Sequence, residues 1–213
     1  MNEPSTPDIL DASPSRRDFL QTAGVTATAT ALTTLALAEA DAADQQPAGG
    51  IAGVGPAAVR ISLNVNGRDL PTTIEPRVTL LDALRNYLDV TGCKRVCDRA
   101  TCGACTVMLD GKVVYSCTTL AIEAQGKAIR TAESLYNDGK LDAVPAAFAH
   151  ADAQQCGFCT PGFVVAMRAA FDKNPSATPA QIEKGLQGNI CRCGTYEQMR
   201  DAIFALCNQK RGN

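Results

Sequence analysis

The sequence predicts an α+β fold in two parts, a small sheet-containing domain followed by a mostly helical one, and three observations predict it. Val59, Ile61, Leu63 and Val65 alternate with Arg60, Ser62, Asn64 and Asn66, the period of two that turns one face of a strand into a core. Beyond Thr131 the apolar spacing becomes helical, with Phe163, Met167 and Phe171 on one side of a helix that opens at Pro161. Ten cysteines, most of them in tight groups, fall in both parts.

The elements follow in order. Ser15-Arg16-Arg17-Asp18-Phe19-Leu20 precedes a weakly apolar, Ala- and Thr-rich run from Thr22 to Ala38 and small residues around Ala40-Asp41-Ala42. This is the layout of a twin-arginine signal peptide over residues 1–42, and it predicts export to the periplasm. The run is short for a bilayer, so no membrane insertion is expected. Residues 43–58, rich in Gln, Ala, Gly and Pro, read as a linker. A sheet domain over 59–131 then begins with the alternating strand, the Asn66-Gly67 hairpin turn and a second strand through Leu70 to Ile74. Thr79 opens a helix carrying Leu80, Leu81, Leu84 and Leu88, with Asp82 placed as its capping partner. A cysteine-rich loop leads to a second hairpin, Thr106 to Leu109 and Lys112 to Tyr115 around Asp110-Gly111, and Ala128 to Thr131 closes the sheet. The helical domain over 132–213 adds a helix opened by Thr178-Pro179 and a last one from Thr195 to Leu206, with Thr195 and Gln198 spaced as a capping box.

Composition narrows the function. A formal net charge of −2 on 213 residues, without a long like-charged block, gives no footprint for nucleic acid or an anionic membrane. No general base, nucleophile or dinucleotide-binding glycine fingerprint can be picked out. The cysteines carry the chemistry. Cys97, Cys102 and Cys105, with Cys117 arriving from the next hairpin, have the C-x4-C-x2-C and later-Cys spacing of plant-type ferredoxins. A structural zinc site also accepts four cysteines, but zinc knuckles present two short C-x2-C pairs. Cys156, Cys159, Cys191 and Cys193 make a second set of four, which taken alone fits zinc, a redox dithiol, or iron and sulfide. No βαβ pattern surrounds Cys156 and Cys159, which disfavours a thioredoxin-like dithiol. The first set makes iron and sulfide the stronger reading of the second.

Three stretches resemble the iron-sulfur subunit of the molybdenum hydroxylases, the xanthine dehydrogenase and aldehyde oxidoreductase family. They are Thr91-Gly-Cys-Lys-Arg-Val-Cys97 leading to Cys102-Gly-Ala-Cys-Thr-Val107, then Gln155-Cys-Gly-Phe-Cys-Thr-Pro-Gly162, then Gly188-Asn-Ile-Cys-Arg-Cys-Gly194. The resemblance spans about Val59 to Leu206. It implies a β-grasp, plant-type ferredoxin-like domain followed by an all-α four-helix bundle, each holding one 2Fe-2S cluster. It implies a large partner subunit with molybdopterin next to the bundle cluster, and an FAD-binding subunit or another acceptor beyond the ferredoxin-like one. On the matching positions, Cys97, Cys102, Cys105 and Cys117 would hold one cluster, and Cys156, Cys159, Cys191 and Cys193 the other. Gln155 and Cys193 would contact the pterin.

The expected function is electron transfer within a molybdenum hydroxylase, with no catalytic residue on this chain and an aldehyde as the substrate class that export favours. A small subunit of an isoquinoline- or nicotinate-like oxidoreductase delivering electrons to a cytochrome is the alternative, followed by a freestanding ferredoxin and a structural zinc protein. The sequence departs from the family at Cys93, where Thr or Ser is more usual, and at Ala100, where Gly is usual. Cys93 reads as a spare thiol, with an alternative ligand in place of a lost Cys97 as the second reading. Ala100 implies either that the loop needs no positive φ there or that it tolerates one under strain. His150, the only histidine, cannot supply a Rieske centre, which needs two, and reads as a surface residue. Cys207, Phe158 and Phe163 read as packing residues, and Asp98 and Arg99 as a solvated pair or tuning charges.

Overall fold

The structure, a computed structural model, describes residues 55–209, so the expected signal peptide and most of the expected linker lie outside the described residues. Strand β1 (Val59–Val65) pairs antiparallel with β2 (Arg68–Ile74), Val59 opposite Ile74 and Val65 opposite Arg68. The turn between them puts both Asn66 (φ 52°) and Gly67 (φ 78°) in the left-handed region, the pair of signs that a two-residue hairpin matching the strand twist requires. Asp110 (φ 50°) and Gly111 (φ 76°) repeat the solution between β3 (Thr106–Leu109) and β4 (Lys112–Tyr115). With β5 (Ala128–Arg130) the strands form one sheet in the order β2-β1-β5-β3-β4. Only the β1 and β5 pairing is parallel.

The alternating residues Ile61, Leu63 and Val65 are buried against Leu80, Leu81 and Leu84, so the strand period and the helix stripe seal one core. Helix α1 (Leu80–Asp82) starts at Thr79, whose Oγ1 accepts the Asp82 N–H at 3.1 Å and donates to the Asp82 carboxylate at 3.0 Å. It does not continue as the regular α-helix expected from the leucine spacing. From Ala83–Tyr87 it widens into a π turn, with the Leu88 N–H reaching back to the Ala83 carbonyl at 3.1 Å. Arg85 on this turn donates to the carbonyls of Thr91 (2.7 Å) and Cys93 (2.9 Å), anchoring the start of the cysteine loop.

The second part holds a short hairpin, β6 (Tyr136–Asn137) with β7 (Lys140–Leu141), and four helices. These are α2 (Ala143–His150), α3 (Thr160–Lys173), α4 (Pro179–Gly185) and α5 (Tyr196–Gln209). Phe163, Met167 and Phe171 of α3 are buried in its core, with Phe148 of α2, Ile182 of α4 and Ile203 of α5. Thr178 and Gln181 close a full capping box at α4, which satisfies two otherwise orphaned backbone donors. A small third cluster, Met108 of β3 with Val165 and Ala169 of α3, joins the sheet to the helices. Asp172 of α3 also pairs with Arg130 of β5 at 3.1 Å. No helix among the described residues is long and apolar enough to cross a membrane.

Candidate metal centres

The first site is a loop between α1 and β3. Its backbone passes through left-handed conformations at Asp98 (φ 56°) and Ala100 (φ 55°), and this coiling turns N–H groups towards sulfur. Ala100 N–H donates to Cys117 Sγ, and the N–H groups of Thr101 and Cys102 donate to Cys97 Sγ, each at 3.3 Å. Cys117 is delivered by a 3-10 turn (Ser116–Thr118) after β4, and the Ser116 hydroxyl fixes it by donating to the Cys105 carbonyl at 2.7 Å. Burial acts to raise the Cys97 thiol, but the amides of Arg99, Thr101 and Cys102 and the Cys102 thiol outweigh it and bring it down to about 6. Cys105 is pushed up to about 12, chiefly by burial, with Cys117 beside it. Tyr115 stands next to the whole set: its hydroxyl is raised by burial and then by Cys105, Cys102, Cys117 and Cys97.

The second site forms where two helices begin. Cys159 is the N-cap residue of α3, and Cys191 and Cys193 lie just before α5. Cys191 is buried, its N–H donates to the Tyr196 hydroxyl at 2.8 Å, and its Sγ lies 3.3 Å from the Thr195 hydroxyl. Burial acts to raise Cys191, but Thr195, the Cys159 thiol and the Gly194 N–H bring it down to about 7. Its neighbour Cys159 is pushed up to about 12, by burial first and then by Cys191. Cys193 is raised: the Cys156 amide acts to lower it and is outweighed by the Cys156 thiol, burial and the adjacent sulfurs. Cys156, Cys193 and Gln155 are exposed.

The thiols are neighbours in pairs, Cys97 with Cys102, Cys105 with Cys117, Cys159 with Cys191, and Cys156 with Cys193. Among the described residues no three His, Cys, Asp or Glu side chains sit closely enough to share a single ion. A 2Fe-2S cluster needs only two thiolates on each of its irons, which is the arrangement these pairs offer. One further observation fits a bound group at the second site. Among the described residues, the single buried side-chain oxygen or nitrogen with no hydrogen-bond partner is Thr160 Oγ1, on the residue that follows Cys159.

Comparison with known proteins agrees with this donor set. A 2Fe-2S iron-sulfur cluster binding domain matches residues 63–132, a [2Fe-2S] binding domain matches 131–204, and a twin-arginine translocation signal matches 13–33. The nicotine 6-hydroxylase small subunit of Paenarthrobacter nicotinovorans is 43% identical over 146 residues, 68% of this chain and 88% of that protein. The aldehyde oxidoreductase iron-sulfur-binding subunit PaoA of Escherichia coli K12 is 35% identical over 208 residues, 91% of this chain and 88% of that protein. The chain belongs to the iron-sulfur subunits of the molybdenum hydroxylases. Among solved structures, a chain of quinoline 2-oxidoreductase from Pseudomonas putida 86 superposes with a TM-score of 0.68 at 39% identity, over 73% of this chain and 98% of that one.

For a molybdenum-hydroxylase iron-sulfur subunit, the two family departures resolve differently. Ala100 does adopt a positive φ, and its N–H is one of the three that face sulfur, so the strain sits where the loop must coil. Cys93 is 1% exposed, lies in the sheet-domain core and points its thiol at the Val90 carbonyl. His150 is exposed at the end of α2. Phe163 is buried as expected, but Phe158 is 51% exposed and packs no core of this chain. Asp98 pairs with Arg95 at 3.3 Å, and Arg99 donates to the Cys97 carbonyl. Sequence reasoning missed Tyr115, Thr160 and Asn189. Thr160, inside the second matching stretch, and Asn189, inside the third, carried a sequence signal.

Proposed function

We propose that this chain holds two 2Fe-2S clusters in series and carries electrons from a molybdopterin-bearing large subunit to an outside acceptor. Cys97, Cys102, Cys105 and Cys117 hold one cluster, in a ferredoxin-like domain over 59–131. Cys156, Cys159, Cys191 and Cys193 hold the other, in a four-helix bundle over 132–213. Each cluster takes up or releases one electron at a time. The chain's own residues bind, space and insulate. The Ile190 N–H donates to the Cys102 carbonyl at 2.9 Å, so a ligand of one site and the residue before Cys191 of the other are joined by backbone and a single hydrogen bond. This is the observation that carries the proposal, because a chain with two unrelated metal sites has no need of such a joint.

Exposure gives the ends of the path their roles. Cys156 and Cys193, with Gln155 beside them, stand open to a partner, and here Gln155 and Cys193 meet the pterin of the large subunit. The cluster held by the Cys97 loop hands electrons outward, to an FAD subunit or another acceptor. Residues 1–42 form the twin-arginine leader and 43–58 the linker, placing the complex in the periplasm. The aldehyde reading is supported by PaoA, whose similarity runs over 91% of this chain, whereas that of the nicotine 6-hydroxylase subunit covers 68%. The second reading, an N-heterocycle substrate, is supported by the higher identity to the nicotine and quinoline proteins. Metal analysis and electron paramagnetic resonance of the dithionite-reduced complex test the proposal. Two distinct 2Fe-2S signals, about four irons per chain and co-purifying molybdenum are expected, and zinc in place of iron overturns it. Reduction of the clusters by an aldehyde but not by quinoline or nicotinate decides between the substrate classes.

A further inference from the structure

Residues 188–190 form a polar seam with the first site and its sheet. The Gly188 carbonyl accepts from the Tyr115 hydroxyl at 3.0 Å, the Asn189 Nδ2 donates to the Gly103 carbonyl at 2.9 Å and to the Thr106 hydroxyl at 3.3 Å, and the Ile190 N–H donates to the Cys102 carbonyl at 2.9 Å. Asn189 and Gly103 are buried. The Tyr115 contact differs from those to Gly103 and Cys102. It comes from the hairpin that delivers Cys117, where Tyr115 lies opposite Thr106, so together with the Asn189–Thr106 contact it ties the second-site loop to the sheet rather than to the cysteine loop. The fit is close on both sides, because a Cβ added at Gly188 would collide with the Tyr115 hydroxyl.

We infer that Tyr115 is a positioning residue for electron transfer between the two sites: by holding the Gly188 carbonyl it sets the Ile190 N–H on the Cys102 carbonyl. This rests on the proposed function above. The Tyr115 hydroxyl is spent on a carbonyl rather than on sulfur. Removing that hydroxyl therefore leaves the ligands and their hydrogen bonds in place and loosens only the joint.

The test compares the intact complex with Tyr115→Phe, which keeps the ring, and with Gly188→Ala, which drives the ring away. Loss of one neutral hydrogen bond is worth about 1.4 kcal/mol, so hydrogen exchange of the peptide containing the Ile190 amide should quicken about tenfold in Tyr115→Phe. Gly188→Ala should quicken it at least as much. Iron content should be unchanged in both. In the fully reduced complex the magnetic dipolar splitting between the two clusters should be single-valued in the parent and broadened in the variants. Unchanged exchange and unchanged splitting in Tyr115→Phe, with both cluster signals present, overturn the positioning role alone. Absence of two cluster signals in the parent overturns the proposed function and this inference with it.

Discussion

The two cysteine sites solve the same problem with opposite materials. At the first, three of the four thiols come from one short loop, and the backbone is coiled through left-handed residues so that three amides face sulfur. At the second, the thiols come from the entrances of two helices far apart in the chain, and a side-chain hydroxyl, Thr195, sits on Cys191. Their surroundings differ too. The first loop carries Lys94, Arg95, Asp98 and Arg99, whereas Arg192 is the only charged residue between 155 and 160 or between 190 and 196. A site built from a local loop can be accurate without the rest of the molecule, and an exposed charged rim suits a partner that comes and goes. A site built from helix ends depends on the whole helical core, and a rim with the single charge of Arg192 and exposed Phe158 and Ile190 suits permanent burial in a partner.

The largest effect that breaks this comparison is loss of a ligand. Cys191→Ser should remove one of two cluster signals and bring iron from about four to about two per chain, while the signal of the first site survives because its ligands are local. Loss of both signals on iron analysis would show that the sites do not assemble independently. Next comes the shared wall. A Cβ at Gly162 would run into the Gly103 carbonyl, backbone that cannot step aside, so Gly162→Ala should destabilise the fold by about 1–3 kcal/mol. Chemical denaturation measures it.

Relief of strain comes third. Ala100→Gly keeps the N–H that faces Cys117 and removes the penalty of a left-handed alanine, so thermal unfolding should rise by the equivalent of about 1 kcal/mol, strain relief less the glycine entropy. The last prediction, silent at neutral pH, tests a cysteine outside both sites. Burial, and after it Glu133, pushes Cys93 from its ordinary value near 9 up to about 11. Between those values the unfolded chain has lost the proton that the folded chain keeps, so stability falls as pH rises from 9 to 11. Cys93→Ala should flatten that part of the stability curve and leave the iron content unchanged.

Much of the sheet domain was legible because local rules set it. Alternation gave β1, and Asn66-Gly67 and Asp110-Gly111 gave both hairpins at the observed positions. The π turn was not legible, since Leu80, Leu81 and Leu84 bury equally well on either kind of turn. Helix α2 was missed because Ala-Val-Pro-Ala-Ala-Phe-Ala-His has little polar contrast, although Asp142, which accepts the Val144 N–H at 2.9 Å, and Pro145 in the first turn were its available signals. The eight proposed ligand cysteines were named from spacing and resemblance, and the structure places them as neighbours in pairs. The joint between the two sites was not legible, because Asn189 meets Gly103 and Tyr115 meets Gly188 only after both domains have folded.

That joint has a consequence for timing. Close-packed glycines and short polar contacts hold the two halves together, so the gap an electron must tunnel across is a fixed length and not one the molecule has to search for. Internal transfer should be indifferent to solvent viscosity, and any slowing in a thickened medium belongs to the encounter outside.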